Sequence, residues 1–450
     1  MRRVLIVSIA IMVVMFATTA VMAGEQQVSD RLLEILKERQ IISENEFAEL
    51  SDLADQMQDD QSAVDGQLEA LDASISEYLA MEGDADEAGV AVTHKKGSGF
   101  GFSQGKFEMW VGGLFQFEYF GLDVEYGQDT NNFRVKEARF YFKGKAFVDG
   151  FTYKFQFDGK GAVTLKDAWG NYVVSDGVQV RFGQFKTPYG RQQLNSTSRL
   201  AFLNRSIVAD EFSPGRDVGV MGHDVIALGE GEDMAVEWAL ALVNGDGTNV
   251  QANDNNWFGW VARLGFYPMG FIKYGESDLA NTQDLKFGIA TAYAQYRNRP
   301  AGETVQTDSF EVDVVLAWSG LFVLAEFHTR TVDTDDVSVA EYDDKGWFLQ
   351  AGFVIPDTEF EVLGRYSMID WDDDRGIEQT TAWQLGVAWY PGQEGHPFKA
   401  LVAFGQAKAD YASGGTPPMA GGMPTSNDIA SVAAAYGDTF FLRIAFQLDW

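Results

Sequence analysis

The chain has no cysteine in 450 residues, which removes disulfides, thiolate nucleophiles and Cys-ligated metals. Histidine is nearly as scarce, at 4. Neither a Gly-x-Ser-x-Gly elbow nor a His-Glu-x-x-His helix is present, so no recognisable catalytic constellation remains and no catalytic residue is assigned. His223-Asp224 reads as a strand-end hydrogen-bonding pair rather than a dyad. Asp370, Asp372 and Asp374 imitate the opening of a calcium loop, but Arg375 stands where the sharp-turn Gly is wanted and Thr381 where the bidentate Glu belongs. No metal and no cofactor are therefore expected. Beyond the first twenty residues no run approaches the roughly 18 apolar residues of a spanning helix. Positive charge is also in short supply: 34 Lys and Arg face 66 Asp and Glu, a net charge of -32. Binding to nucleic acid needs a basic footprint, so that partner class is excluded.

What is present begins with an export signal over residues 1–23: Arg2 and Arg3, apolar Val4 to Ala17, then Val21-Met22-Ala23 before a cut preceding Gly24. Residues 24–81 read as a helical segment. Ser43 and Glu46 form a capping box, and from Phe47 the apolar residues keep a heptad, with Phe47, Ala54, Leu68 and Ile75 at a and Leu50, Met57, Val64, Leu71 and Tyr78 at d. That period specifies a left-handed coiled coil, in which polar Gln61 helps fix register, or a single amphipathic helix folded on its own barrel. Residues 82–105, rich in Gly and acid, are expected to be a linker.

The last stretch fixes the fold class. Phe440, Leu442, Ile444, Phe446, Leu448 and Trp450 fall on one side of a strand, with Phe441, Arg443, Ala445, Gln447 and Asp449 on the other. An apolar row against a polar one implies oil outside and water inside, and the length suits a transmembrane β-barrel strand. Phe151, Tyr153, Phe155 and Phe157 repeat the arrangement, as do Phe310 to Trp318 against Glu311 and Asp313, and Leu321 to Phe327 against Glu326 and His328. From residue 106 to 450 about sixteen strands can be counted. Tight turns at Asp149-Gly150, Ser175-Gly177, Ser319-Gly320 and Pro356-Thr358 alternate with long connections at 119–132, 187–215, 332–344 and 409–437. The expected architecture is all-β: a 16-stranded antiparallel barrel in the outer membrane of a Gram-negative cell, in contact with its lipid. Both termini, and hence the helical segment, would then lie in the periplasm. Sixteen strands leave an aqueous channel. The connection 268–283 is too long for a periplasmic turn.

Charge is unevenly spread. Residues 106–216 carry 12 acids and 15 bases, whereas residues 217–450 carry 35 acids and 12 bases. Strand parity turns Arg139, Lys143, Lys145, Lys154 and Arg181 inward, with Lys186 near the mouth, and sets Glu311, Asp313, Glu326 and Glu361 on the opposite wall, diluted by Arg263, Arg330, Arg365 and Arg443. A field across the lumen is expected. The connection 187–215 contains Arg191, Arg199 and Arg205, with Arg216 just beyond. Its apolar Leu200 to Leu203, Ile207 and Val208 argue that it folds inward and narrows the pore. Its bases either line an anion path, as rings of Arg and Lys do in anion and phosphate pores, or tie the loop to acids such as Asp210 and Glu211.

Arg181-Phe182-Gly183-Gln184-Phe185-Lys186-Thr187-Pro188-Tyr189, then Phe202-Leu203-Asn204-Arg205-Ser206, then Phe212-Ser213-Pro214-Gly215-Arg216-Asp217-Val218-Gly219-Val220, resemble the phosphate-selective porin O and P family. The resemblance implies a trimeric sixteen-stranded barrel, a constriction built by the third loop, and Arg and Lys side chains guiding small inorganic anions, phosphate among them. Lys186, Arg205 and Arg216 lie in the matching segments. The chain departs from the family in its acidic second half. Two other readings stay open: a general or cation-tolerant porin, and a tether in which the barrel anchors a coiled coil that contacts the cell wall.

Overall fold

The computed structural model describes residues 90–95, 99–146, 148–229, 233–298, 304–334, 341–373, 376–392, 397–411 and 429–450. The export signal and the coiled coil expected over 24–81 lie outside the described residues.

Two short strands come first, β1 (Ala91–Lys95) and β2 (Gly99–Gln104). They occupy part of the stretch expected to be a linker, and they extend the ladder: β2 pairs with the start of β3 and β1 pairs with β2. Sixteen longer strands follow: β3 (Phe107–Val124), β4 (Thr130–Lys145), β5 (Phe151–Asp158), β6 (Thr164–Ser175), β7 (Val178–Lys186), β8 (Arg216–Leu228), β9 (Met234–Val243), β10 (Gly259–Tyr267), β11 (Lys286–Asn298), β12 (Val305–Trp318), β13 (Leu321–Thr334), β14 (Tyr342–Val354), β15 (Phe360–Asp370), β16 (Ile377–Trp389), β17 (Phe398–Tyr411) and β18 (Thr439–Asp449). Each pairs antiparallel with the next, and β18 returns to β3 from Thr439↔Val124 to Asp449↔Leu114, closing a sixteen-stranded barrel.

The wall is two-faced as the alternation requires. On β18, Phe440 and Leu448 remain 49% and 45% exposed on the outside, while Arg443 and Gln447 are 1% exposed inside. On β12, Phe310 and Trp318 face out and Glu311 and Asp313 face in. A one-residue slip would carry Arg443 onto the lipid face, at about 2–4 kcal/mol for a base near the midplane. The apolar rows therefore fix register as well as topology.

Four register shifts interrupt the ladder among the described residues, and two of them break the parity of the basic wall. Opposite Gln116 and Phe117, β4 carries Lys136 as an extra residue; opposite Gln156 and Phe157, β6 carries Lys166. Beyond the first bulge the inward set shifts, so Arg134 meets Glu118 at 2.5 Å while Phe133 points outward, 71% exposed. The long loop expected over 119–132 is only 125–129, because Phe120, Leu122 and Val124 extend β3 to pack on helix α3 (Ile429–Tyr436) inside the bore. The connection expected over 332–344 likewise shortens to 335–341 between β13 and β14.

The seam depends on bare backbone. Gly113 and Trp450 exchange N–H to carbonyl bonds at 2.9 and 3.0 Å, and a Cβ on Gly113 would meet the Trp450 ring at 2.6 Å. Gly113→Val is expected to cost about 1–3 kcal/mol by overpacking. Heat-modifiable gel mobility should be lost at a lower temperature than in the parent, whereas Gly161→Ala, in open space, should leave that temperature unchanged.

Candidate functional site: the pore constriction

Between β7 and β8 the chain leaves the wall and crosses the bore. It forms a short helix α1 (Arg191–Leu194), a 3-10 turn (Thr197–Arg199) and a second helix α2 (Ile207–Phe212), capped by Ser206, whose hydroxyl accepts from Ala209 N at 2.9 Å. Its apolar residues choose the wall it rests on. Val208 and Phe212 pack with Leu324, Phe348 and Ile369. Phe202 and Leu203 pack with Leu363, Tyr390 and Leu401. The loop thus lies against β13 to β17.

A second segment meets it. The connection 268–285 between β10 and β11 turns into the lumen instead of making a tight turn. Arg191, fully buried, donates to the carbonyls of Ile272 and Lys273 at 2.8 and 2.9 Å, and its guanidinium carbon lies 4.8 Å from the Tyr274 ring centre. Glu276 accepts from Asn195 Nδ2 and Ala201 N. Tyr274 donates to Glu237; burial pushes its phenol well above the ordinary value, so it stays a donor.

Irregular backbone buried in a bore has no ladder to satisfy it, so side chains must. Lys186 Nζ reaches the carbonyls of Gln193, Leu194 and Asn195, and Arg205 those of Gln192, Gln193 and Asn195. From the far wall, Lys399 donates to Leu200 O, Arg365 to Asn204 O, Gln447 to Ser198 O and Arg330 to Glu211 O. The amides are met by acids: Gly190 N donates to Glu311 and Gln192 N to Glu326. Burial draws the Arg205 guanidinium below its ordinary value, opposed by Asp210 and Glu276. Lys399 escaped the charge inventory drawn from the sequence, although its alternation with Leu401 and Ala403 places it inside.

The same packing covers the acidic wall. Glu311, Asp313, Glu326 and Glu361 are each 2% exposed or less. Arg263 sits between Glu237, Glu311 and Asp313 at 3.3, 2.7 and 2.7 Å. Opposite the loop a cavity of about 450 Å³ stays open, lined by Arg139, Lys154, Arg181, Lys186, Arg216 and Arg263 against Asp167, Asp224 and Glu237. Trp169, Phe271 and Tyr274 supply its aromatic surface.

The ten bases marked in the sequence divide accordingly. Arg139, Lys154, Arg181, Lys186 and Arg216 line this one cavity. Lys154 and Arg216 share Asp167 at 2.6 and 2.7 Å, and Arg139 pairs with Glu137 at 2.8 Å. Lys143 lies over the Tyr141 ring across from Lys154 on β5. Lys145 is exposed beside Glu108 at the short-turn end. Arg191 and Arg205 are engaged with backbone carbonyls under the loop, whereas Arg199 is exposed on it, 3.4 Å from Tyr274 O. Lys143, Arg181 and Arg199 make no ion pair among the described residues. Lys136 and Lys166 were missed because a bulge is invisible to parity. His223 bonds to Asn171 and Asp224 accepts from Gln179, so the two form no dyad.

Arg191→Ala would strand the buried Ile272 carbonyl, at about 1–3 kcal/mol, and release that of Lys273. The expected outcome is a less heat-resistant barrel with a larger, noisier single-channel conductance; Arg199→Ala, on an exposed side chain, should leave the heat resistance unchanged.

Comparison with known proteins agrees with this geometry. The family model for phosphate-selective porin O and P matches residues 110–317. An uncharacterized protein of Aquifex aeolicus (strain VF5) is 24% identical over 230 residues, 47% of this chain and 55% of that protein; the chain thus spans about half the length of the curated relative it matches. Among solved structures, the anion-selective porin from Comamonas acidovorans superposes with a TM-score of 0.54 at 11% identity, over 76% of this chain and 99% of that one. The outer membrane channel DcaP of Acinetobacter baumannii gives a TM-score of 0.49 at 13% identity, over 78% and 100%. Fold and family point to an outer-membrane channel rather than an enzyme. Over residues 110–317, on the closed sixteen-stranded barrel that contains them, the chain is similar to the phosphate-selective porin O and P family.

Proposed function

We propose that this porin is a passive diffusion channel that favours small anions, inorganic phosphate among them. One observation carries the reading: the cavity beside the constriction is lined by six Arg and Lys against three Asp and Glu in a chain of net charge -32. The inward acids of β12, β13 and β15 lie under the loop, where its packing and amides engage them. A permeant crossing the bore meets the basic wall. Lys143, Arg181 and Arg199 do the guiding, because their charge is not committed to a carboxylate. Arg139, Lys154 and Arg216 hold the potential positive while paired, and Lys186, Arg191 and Arg205 keep the loop in place.

The cation-tolerant alternative rests on the acidic second half, whose marked inward members are these covered carboxylates. The segment 24–81 lies outside the described residues; the role proposed for it from its heptads is to join three barrels or to contact the cell wall, and the homotrimer itself is inferred from the family resemblance.

The triple substitution Lys143→Glu, Arg181→Glu, Arg199→Glu is expected to reverse the sign of the zero-current potential in a KCl gradient across a planar bilayer. The parent preference should weaken near 1 M salt, where the screening length falls to about 3 Å. An unchanged sign would remove these three residues from the account. Deleting residues 25–80 should leave single-channel conductance intact while lowering the temperature at which oligomer bands dissociate on gels; unaltered bands and envelope fractionation would count against assembly and tethering alike.

A further inference from the structure

We infer that the constriction is built for aromatic monocarboxylates in preference to compact polyanions such as phosphate. This rests on the anion-channel reading and specifies its substrate class.

Phosphate is small and strongly hydrated, so a site that selects it must replace its water with several uncommitted donors converging on one point. The cavity does not offer them. Lys154 and Arg216 both serve Asp167, the Lys186 ammonium is turned to three carbonyls, Arg139 binds Glu137 and Thr197, and Arg263 is surrounded by three acids. Of the six bases that line the space, only Arg181 has neither an ion pair nor a side-chain hydrogen bond to a carbonyl among the described residues. Its Nε is buried without a hydrogen-bond partner, and its guanidinium carbon lies 4.4 Å from the centre of the Trp169 ring. A single guanidinium resting over a ring offers one planar fork, the shape of one carboxylate.

The aromatic part of the lining is suited to a flat apolar body. Trp169 reaches in from β6, and Phe271 and Tyr274 come from the in-folded connection 268–285. Phe271 stands edge-on to Tyr267 and Tyr274, at 4.8 and 6.0 Å between ring centres. Pro188, Leu194 and Met221 complete that side. A volume of about 450 Å³ is large for one phosphate and falls in the range of small-molecule pockets. One carboxylate on Arg181 and one ring against Trp169 and Phe271 use both halves of the lining together.

The test uses the full chain in planar bilayers, with chloride current measured as benzoate, cyclohexanecarboxylate, acetate or inorganic phosphate is added. Benzoate is expected to halve the current at a concentration about fivefold or more below acetate and phosphate, since aromatic contacts at a carboxylate seat are worth roughly that factor. Cyclohexanecarboxylate, equal in charge and similar in size, should fall between benzoate and acetate. In Trp169→Leu the benzoate-to-acetate ratio should drop to about one, and Phe271→Leu, read the same way, should lower it in part. Equal potency of benzoate and acetate, phosphate stronger than benzoate, or an unchanged ratio in Trp169→Leu overturns the inference while leaving anion preference in KCl standing. Cation preference in KCl would instead overturn the anion reading and this inference with it.

Discussion

Everything at the constriction depends on one requirement: carbonyls of a chain folded across a bore must find donors, since neither a ladder nor bulk water serves them. This chain meets the need with Arg and Lys. Arg191, Lys186 and Arg205 bind carbonyls from within or beside the loop, and Lys399, Arg365 and Arg330 reach it from β17, β15 and β13. A Lys ammonium carries three donors and a guanidinium five, so a few long side chains tie down a loop of nearly thirty residues. Losing one leaves more than one acceptor bare. That is why bases of the same type on the same loop differ so much in consequence: Arg191 is fully buried, and Arg199, eight positions later, is open to the lumen.

The docking of the loop also decides which charges a solute meets. Parity alone set a basic wall against an acidic one and so foresaw a field across an open bore. Once Val208, Phe212, Phe202 and Leu203 are packed on β13 to β17, Glu311 of β12 and Glu326 of β13 become acceptors for loop amides, and Glu311 and Asp313 are partners of Arg263. On the proposed anion-channel reading, the field is therefore one-sided where permeation occurs. Packing of apolar side chains, rather than any placement of charge, turns an acidic protein into one with a basic passage.

Much of the barrel was legible in the sequence because its wall has a single rule, period two with oil on one side. The final strand, β12 and β13 obey it residue by residue. The rule fails where local backbone departs from it. Lys136 and Lys166 enter as bulge residues, and the period offers no warning of an inserted position. The connection 268–285 was conspicuous for its length, yet what it does depends on Arg191, some eighty residues away. The roles of Lys186 and Arg205 were hidden for the same reason. A motif gives the residue type, while the choice between facing a solute and facing a carbonyl is made by the tertiary fold.

Net charge is a poor guide to such a channel because electrostatic influence is short-ranged in salt. At physiological ionic strength the screening length is about 8 Å, so exposed acids beyond that distance from the constriction act only weakly on an ion inside it. The covered carboxylates lie closer, but Arg263 offsets part of their charge and loop amides point their positive ends at Glu311 and Glu326. Lys143 and Arg181 make no ion pair among the described residues, and Arg181 lies over the Trp169 ring, a support that leaves its charge uncommitted to a carboxylate. A base held by an aromatic ring is oriented without being neutralised, whereas a base held by a carboxylate is oriented at the expense of its field. For a passage that must attract an anion and then release it, the aromatic support is the better arrangement.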